Sequence, residues 1–266
     1  MKTSNHLLRR LTAALLAAVL ALSIALPVFA SDNGDTIYIN SVSDLLSLAR
    51  NCAYDQWSVG KTVILQKDLS LEGMLWEPIP SFSGQFKGSG HTISDLTITG
   101  QYSPAGLFGI VEEQGSIESL SVRGVVSVSD SADTTTGGIV GINHGTLISC
   151  QFTGVVTGDS EVGGIVGRNE SEGTIDHSTA RAIVTGKSST GGIAGYNLGA
   201  ITGCTNVGSI NTEYPEASLD TDGFTAKMVD YINNKMAAAA DDATNSVTNV
   251  ATDTGGIAGR SSGMIL

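Results

Sequence analysis

Between Ile93 and Ile210 the apolar residues come in short runs rich in Ile, Val and Thr, broken by Gly and Asn. That is the chemistry of short strands joined by tight turns, and no run there is long enough to make a helix. Two stretches depart from this pattern. From Leu11 to Leu26 the chain is apolar almost throughout. Between Phe224 and Ala240 the residues Phe224, Met228, Val229, Tyr231, Ile232 and Met236 recur at helical spacing ahead of Ala237 to Ala240, which predicts a helix.

The short runs repeat. Gly137-Gly138-Ile139-Val140-Gly141 returns as Gly163-Gly164-Ile165-Val166-Gly167, Gly191-Gly192-Ile193-Ala194-Gly195 and Gly255-Gly256-Ile257-Ala258-Gly259, and a worn copy, Ala105-Gly106-Leu107-Phe108-Gly109, precedes them. The steps from 137 to 163, 163 to 191 and 191 to 255 are 26, 28 and 64 residues. The first three pentads are each followed by Asn143, Asn169 or Asn197, then a Gly, then an apolar Leu147, Ile175 or Ile201. Three positions further on stand Cys150, Ser178 and Cys204, and units close with Val155-Val156-Thr157-Gly158 or Ile183-Val184-Thr185-Gly186. Ile117-Glu118-Ser119-Leu120 and Ile93-Ser94-Asp95-Leu96 fit the same frame, so five consecutive units share one template.

A unit of this length, read as three short strands, cannot bury an apolar face alone, but stacked copies can. Stacking identical strands gives an all-β right-handed parallel β-helix in which each coil lies about 4.8 Å above the last. Glycine at the corners permits the sharp turns. Leu96, Leu120, Cys150, Ser178 and Cys204 then form one column, with Cys150 and Cys204 two coils apart. Two coils are roughly 9.6 Å, beyond the roughly 7 Å reach of a disulfide. The odd cysteine count, with Cys52 as the third, agrees with free thiols.

Lys2, Arg9 and Arg10 flank the first apolar run, which ends in Pro27-Val28-Phe29-Ala30 with Val28 and Ala30 as the small cleavage positions, so residues 1–30 read as a signal peptide cut after Ala30. The cut leaves 11 Lys and Arg against 26 Asp and Glu, a net charge of −15. Such a balance disfavours nucleic acid and anionic lipid as partners, and nothing anchors the chain to a membrane once the signal is gone. The 33 glycines among 266 residues exceed the usual roughly 7 % and recur in phase.

The unit Gly-Gly-Ile-Val-Gly, followed by Asn, Gly, Ile, Cys and Gly-x-Val-x-Gly, resembles the GLUG motif of bacterial surface proteins. Residues 37–109 resemble the module that commonly precedes it, with Ser43-Asp44-Leu45-Leu46-Ser47-Leu48-Ala49 as a short capping helix. Trp76-Glu77-Pro78-Ile79 and Phe82 to Ile93 match that module's following segment. The resemblance implies a pectin-lyase-like β-helix on secreted proteins, including noncatalytic regions of some immunoglobulin A-cleaving peptidases and adhesin-like proteins. The implied organisation is a signal peptide at 1–30, an N-terminal cap and first coil at 31–100, GLUG-type repeats at 101–210, a helix-containing insertion at 211–253 and the start of a further, incomplete repeat at 254–266. An unfinished repeat suggests a chain continuous with further C-terminal domains, since soluble proteins cover an open strand edge.

Asp220-Thr221-Asp222-Gly223 invites calcium but lacks the other ligands of an EF-hand loop, and carboxylates at a helix N-terminus with a turn explain it. Gly186-Lys187-Ser188 has Arg181 where a phosphate loop needs Gly, and Gly88-Ser89-Gly90 lacks a third Gly. His91, His144 and His177 stand singly, without a His-Glu-x-x-His. Glu172 and Asp176 meet Gly199 or Ala200 and Thr202 in the next coil, so no acidic column of a polysaccharide lyase or hydrolase forms. The sequence therefore assigns no catalytic, cofactor-binding or metal residue, and no cofactor. Asn143, Asn169 and Asn197 read as stacked amides closing a turn. The expected function is a noncatalytic extracellular β-helix module for adhesion or display at the bacterial cell surface, binding an unnamed host or polymer ligand. The alternative is a carbohydrate-active β-helix enzyme, or the noncatalytic region of a larger surface peptidase, with its site outside this chain.

Overall fold

The computed structural model describes residues 36–54, 56–128, 134–211 and 252–266, and Thr36–Leu266 forms one compact unit. The proposed signal peptide, the helix predicted over 224–240 and the Asp220–Gly223 motif lie outside the described residues. The described chain winds into a parallel β-solenoid of about six turns. Its strands stack into sheets of eight, seven, six and four, the inner strands of each pairing in parallel with the coil before and after.

The coils that carry the pentads at Gly137, Gly163 and Gly191 run through four sheets, where the sequence predicts three strands, while the coil before them has three strands and a single bridge from Ala105 to Thr136. One coil runs through Thr135–Gly137 in the four-stranded sheet, Val140–Asn143 in the six-stranded, Thr146–Ile148 in the eight-stranded and Gln151–Thr157 in the seven-stranded. The additional strand is made by the first glycine of the pentad and the two residues before it, as again in Glu161–Gly163. It escapes a pattern search because its apolar content is one inward residue, Thr136 or Val162.

A steric contact explains the first pentad glycine. A Cβ on Gly137, Gly163, Gly191 or Gly255 would strike the carbonyl oxygen of the residue three ahead, Val140, Val166, Ala194 or Ala258. Only a hydrogen fits there, so the corner between the four- and six-stranded sheets repeats with the same residue. The second glycine gives way to the core, since a Cβ on Gly138 would enter the Phe152 ring.

The interior is a continuous aliphatic column. Ile139, Ile165 and Ile193 are fully buried one above another, as are Leu147, Ile175 and Ile201 on the eight-stranded side. Each such side chain contributes about 1.5–3 kcal/mol on leaving water. Toward the N-terminal end the core turns aromatic, with the rings of Phe82, Phe86 and Phe108 5.4–6.3 Å apart. Trp76 is buried beside them and donates from Nε1 to the Leu107 carbonyl at 3.1 Å.

The single helix among the described residues, Val42–Asn51, sits at this end. Ser41 caps it by accepting from the Asp44 amide, while the Asp44 carboxylate accepts from the Asn40 amide at 3.0 Å. These reciprocal bonds satisfy two donors of the chain entering the first turn. Leu45 and Leu48 turn inward to the core, and the helix packs on strands Thr36–Ile39 and Ile79–Phe82. The capping helix expected at Ser43–Ala49 is thus present and slightly longer.

One expected alignment is corrected. Ile93 pairs with Val122 and Leu96 with Gly124, so Ile93–Leu96 lies in the seven-stranded sheet and Leu96 is outside the cysteine column. Phe86 is the residue that pairs with Ile117. The cause is a bulge at Ser94 and Asp95, where Asp95 takes φ 59° and its carboxylate accepts from the hydroxyls of Ser70 and Ser94. A bulge adds a residue to one strand without changing its neighbours' apolar content, so sequence similarity slid the alignment by one strand.

Thr136 is fully buried and its hydroxyl has no partner, while the same column in the next coil holds Val162. Thr136→Val keeps the shape and removes an unpaired polar atom whose burial costs about 1–3 kcal/mol. The variant is expected to unfold at higher denaturant concentration with an unchanged slope, by about 1 kcal/mol.

Candidate functional site

The repeated asparagines form the most regular polar feature. Asn143 donates from Nδ2 to Oδ1 of Asn169 at 2.8 Å, Asn169 to Asn197 at 2.8 Å, and Asn197 to Oγ of Ser261 at 3.2 Å. Each Nδ2 also donates to a carbonyl of its own turn, from Gly145, Gly173 and Gly199 at 3.1–3.2 Å. All three side chains are fully buried, and the Asn143 Oδ1, facing the Val111 coil, is the one ladder atom without a partner. Both amide protons are used in every rung, so the donors of the ladder are spent on closing the corner. The sequence reading of stacked amides stands.

On the outer surface of the six-stranded sheet, Ile142, Arg168, Tyr196 and Arg260 make one column. The two guanidinium groups lie 5.1 and 5.5 Å from the Tyr196 ring centroid, one from each neighbouring coil. Arg168 is further held by Glu161 at 3.1 Å and Glu170 at 2.7 Å. The tyrosine faces and the Arg168 charge are therefore spent on the protein's own groups. Arg260, in the last coil, is exposed.

The cysteines are inward and protonated. Cys150 and Cys204 are separated in their column by Ser178, whose hydroxyl accepts from the Cys150 amide at 3.1 Å and donates to the Asp176 carbonyl. The Cys204 sulfur accepts in turn from the Ser178 amide at 3.4 Å. Desolvation pushes the Cys150 thiol up to about 12 and that of Cys52 to about 11. Groups with such raised values are poor nucleophiles at neutral pH.

The remaining candidates disperse. His91 faces Asp68 at 3.2 Å and His177 faces Asp176 at 2.8 Å, on different coils. Lys187, in the rejected phosphate-loop motif, pairs with Asp159 at 2.6 Å, and the Gly186 amide donates to Asn211. Among the described residues no group of three or more His, Cys, Asp or Glu side chains could hold a metal ion, and no helix is long and apolar enough to cross a membrane. The seven-stranded sheet does bring together a pair that the sequence reading passed over, Arg123 and Arg181, both paired through Thr153. The signal was present in the repeat, as Val122-Arg123-Gly124 aligned with Ala180-Arg181-Ala182.

Residues 158–185 match the family model described as the GLUG motif. Among curated proteins, halomucin from Haloquadratum walsbyi is 30% identical over 155 residues, which is 53% of this chain and 2% of halomucin. A "Putative Gly-rich membrane protein" from Evansella cellulosilytica is 28% identical over 137 residues, 37% of this chain and 16% of its own length. The chain thus spans a small part of both relatives. Among solved structures, a "putative immunoglobulin A1 protease" from Bacteroides ovatus aligns with a TM-score of 0.45 and 16% identity over 66% of this chain and 67% of that one.

Two outcomes follow from the buried polar column and the thiols. Asn169→Ala strands both the Asn143 amide and the Asn197 carbonyl oxygen, each costing about 1–3 kcal/mol, whereas Asn143→Ala removes one orphan while creating another. Denaturant titration is expected to rank Asn169→Ala well below Asn143→Ala in stability. Because the thiol pKa values are raised by folding, their contribution to stability is whole below the unfolded value near 9 and is lost as pH climbs toward about 12. A Cys150→Ala variant is expected to show a shallower fall in stability across that alkaline window.

Proposed function

We propose that this GLUG-repeat β-helix is a noncatalytic extracellular module that works in adhesion or display at the bacterial cell surface. The supporting observation is the filled interior. From Leu45 to Ile201 the inward side chains are almost completely buried, so contact with other molecules falls to the outward columns. Outward positions such as Ile142, Arg168, Tyr196 and Arg260 change from coil to coil, while the buried pentad column of Ile139, Ile165 and Ile193 does not. A scaffold with a filled core and replaceable outward side chains suits recognition or spacing, with each coil adding about 4.8 Å of length. The matching GLUG motif and the names of the two curated relatives, a mucin and a membrane protein, accord with a place at the cell surface. The basic, apolar and small-residue succession in residues 1–30 supplies the export signal in this reading.

Expression of the full chain in a bacterial host tests the proposal. Antibody labelling of intact cells, together with assay of the culture medium, is expected to find the protein outside the cytoplasm, beginning at Ser31. Retention in the cytoplasm with Met1 intact would overturn it, as would turnover of a polysaccharide by the purified protein.

A further inference from the structure

The faces of the solenoid differ in charge. The chain carries 26 Asp and Glu against 14 Lys and Arg. Yet from Ser121 onward the described strands of the seven-stranded sheet, Ser121–Val128, Gln151–Thr157, Thr179–Thr185, Thr205–Asn206 and Ser209–Ile210, contain no acidic residue. They contain two cations, Arg123 and Arg181, both exposed. Among the described residues, the acidic groups that flank these strands belong to the corners. Glu118 and Asp176 end strands of the eight-stranded sheet, with Asp176 paired to His177, and Asp159 is paired to Lys187. Asp95, on the preceding strand, accepts from two serines.

The surrounding outward columns are hydroxyl-rich and aliphatic. Ser121, Gln151 and Thr179 stack on one side of the arginines. On the other side Val125, Val155 and Ile183 form an apolar column, in which Val125 and Ile183 are only 8% exposed, and Ser127, Thr157 and Thr185 a second polar column. Thr153 stands between the arginines, so the backbones that carry them lie two coils, about 9.6 Å, apart along the axis.

We propose that this face binds an acidic polysaccharide laid along the coil axis, with carboxylates on alternate sugars meeting Arg123 and Arg181. Guanidinium groups pair with carboxylates through two parallel hydrogen bonds. The hydroxyl and amide columns supply partners for sugar hydroxyls. The negative charge of the remaining surface keeps a polyanion off the rest of the chain and directs it to this face. The assignment rests on the reading of the protein as a surface module and names what that module holds.

The test uses the purified full chain with two probes, hyaluronan, which carries a carboxylate on every second sugar, and uncharged dextran. Calorimetry at low salt is expected to show hyaluronan binding that weakens with added salt, and none for dextran. The double variant Arg123→Ala/Arg181→Ala is expected to lose at least tenfold in affinity, and Thr153→Glu, which sets a carboxylate between the arginines, to lose as much. All substituted side chains point outward, and unchanged β-rich spectra and melting confirm that the variants fold. Absence of hyaluronan binding, equal binding of dextran, or unchanged affinity in both variants would overturn the proposal. So would sedimentation showing that the arginine substitutions only dissociate a dimer, since the face would then be docking on the acidic surface of a second copy. The cell-labelling result is independent, so failure here with the protein found outside the cell removes the glycan and leaves the surface module.

Discussion

Among the described residues, each strand inside a sheet finds its hydrogen-bonding partners in the coil before and the coil after, and that pairing governs the rest of the structure. A coil of 26 to 28 residues holds too few contacts to stand alone. Once stacked, its backbone is paired along nearly every strand, and each residue is brought next to its own equivalent. Whatever is placed in the repeat is therefore multiplied into a column. An isoleucine becomes an aliphatic core, a glycine a sharp corner and an asparagine a chain of amides.

The columns differ in how much variation they tolerate. At the pentad corner the carbonyl three residues ahead excludes any side chain, so the first glycine recurs in all four full copies. At the asparagine corner the amides lend one another both donor and acceptor, so a change in a middle rung is felt above and below. The cysteine column accepts Leu120, Cys150, Ser178 and Cys204, because a sulfur or hydroxyl there can take the amide of the coil below while a methyl group can fill the space. Outward columns meet only water and their two neighbours, and they vary most.

This freedom turns the solenoid into a set of faces with separate chemistry. Among the described residues, acidic side chains gather at corners and on other sheets, the six-stranded face spends Arg168 on glutamates and a tyrosine, and the seven-stranded face keeps Arg123 and Arg181 clear of carboxylates on its own strands after Asp95. A net charge averages over such differences. The same total that argues against polyanionic partners for the chain as a whole is compatible with one cationic strip, because screening confines each face's field to about 8 Å at physiological salt.

By itself the sequence determined the solenoid: repeated Gly-Gly-Ile-Val-Gly pentads, the period, the asparagine ladder, the free cysteines and the capping helix were readable from spacing and resemblance, because a repeat that stacks in register writes its contacts into its own periodicity. Only the tertiary structure decided what periodicity does not encode. The fourth strand, marked by a single inward residue such as Thr136 or Val162, exists because neighbouring coils pair there. The shift of Leu96 from the cysteine column to Gly124 arises from a bulge that changes register without changing composition. The common column of Arg123 and Arg181, and the absence of acids from those strands, emerged when residues far apart in the chain were set on one face, which is a property of the stack and of no single unit.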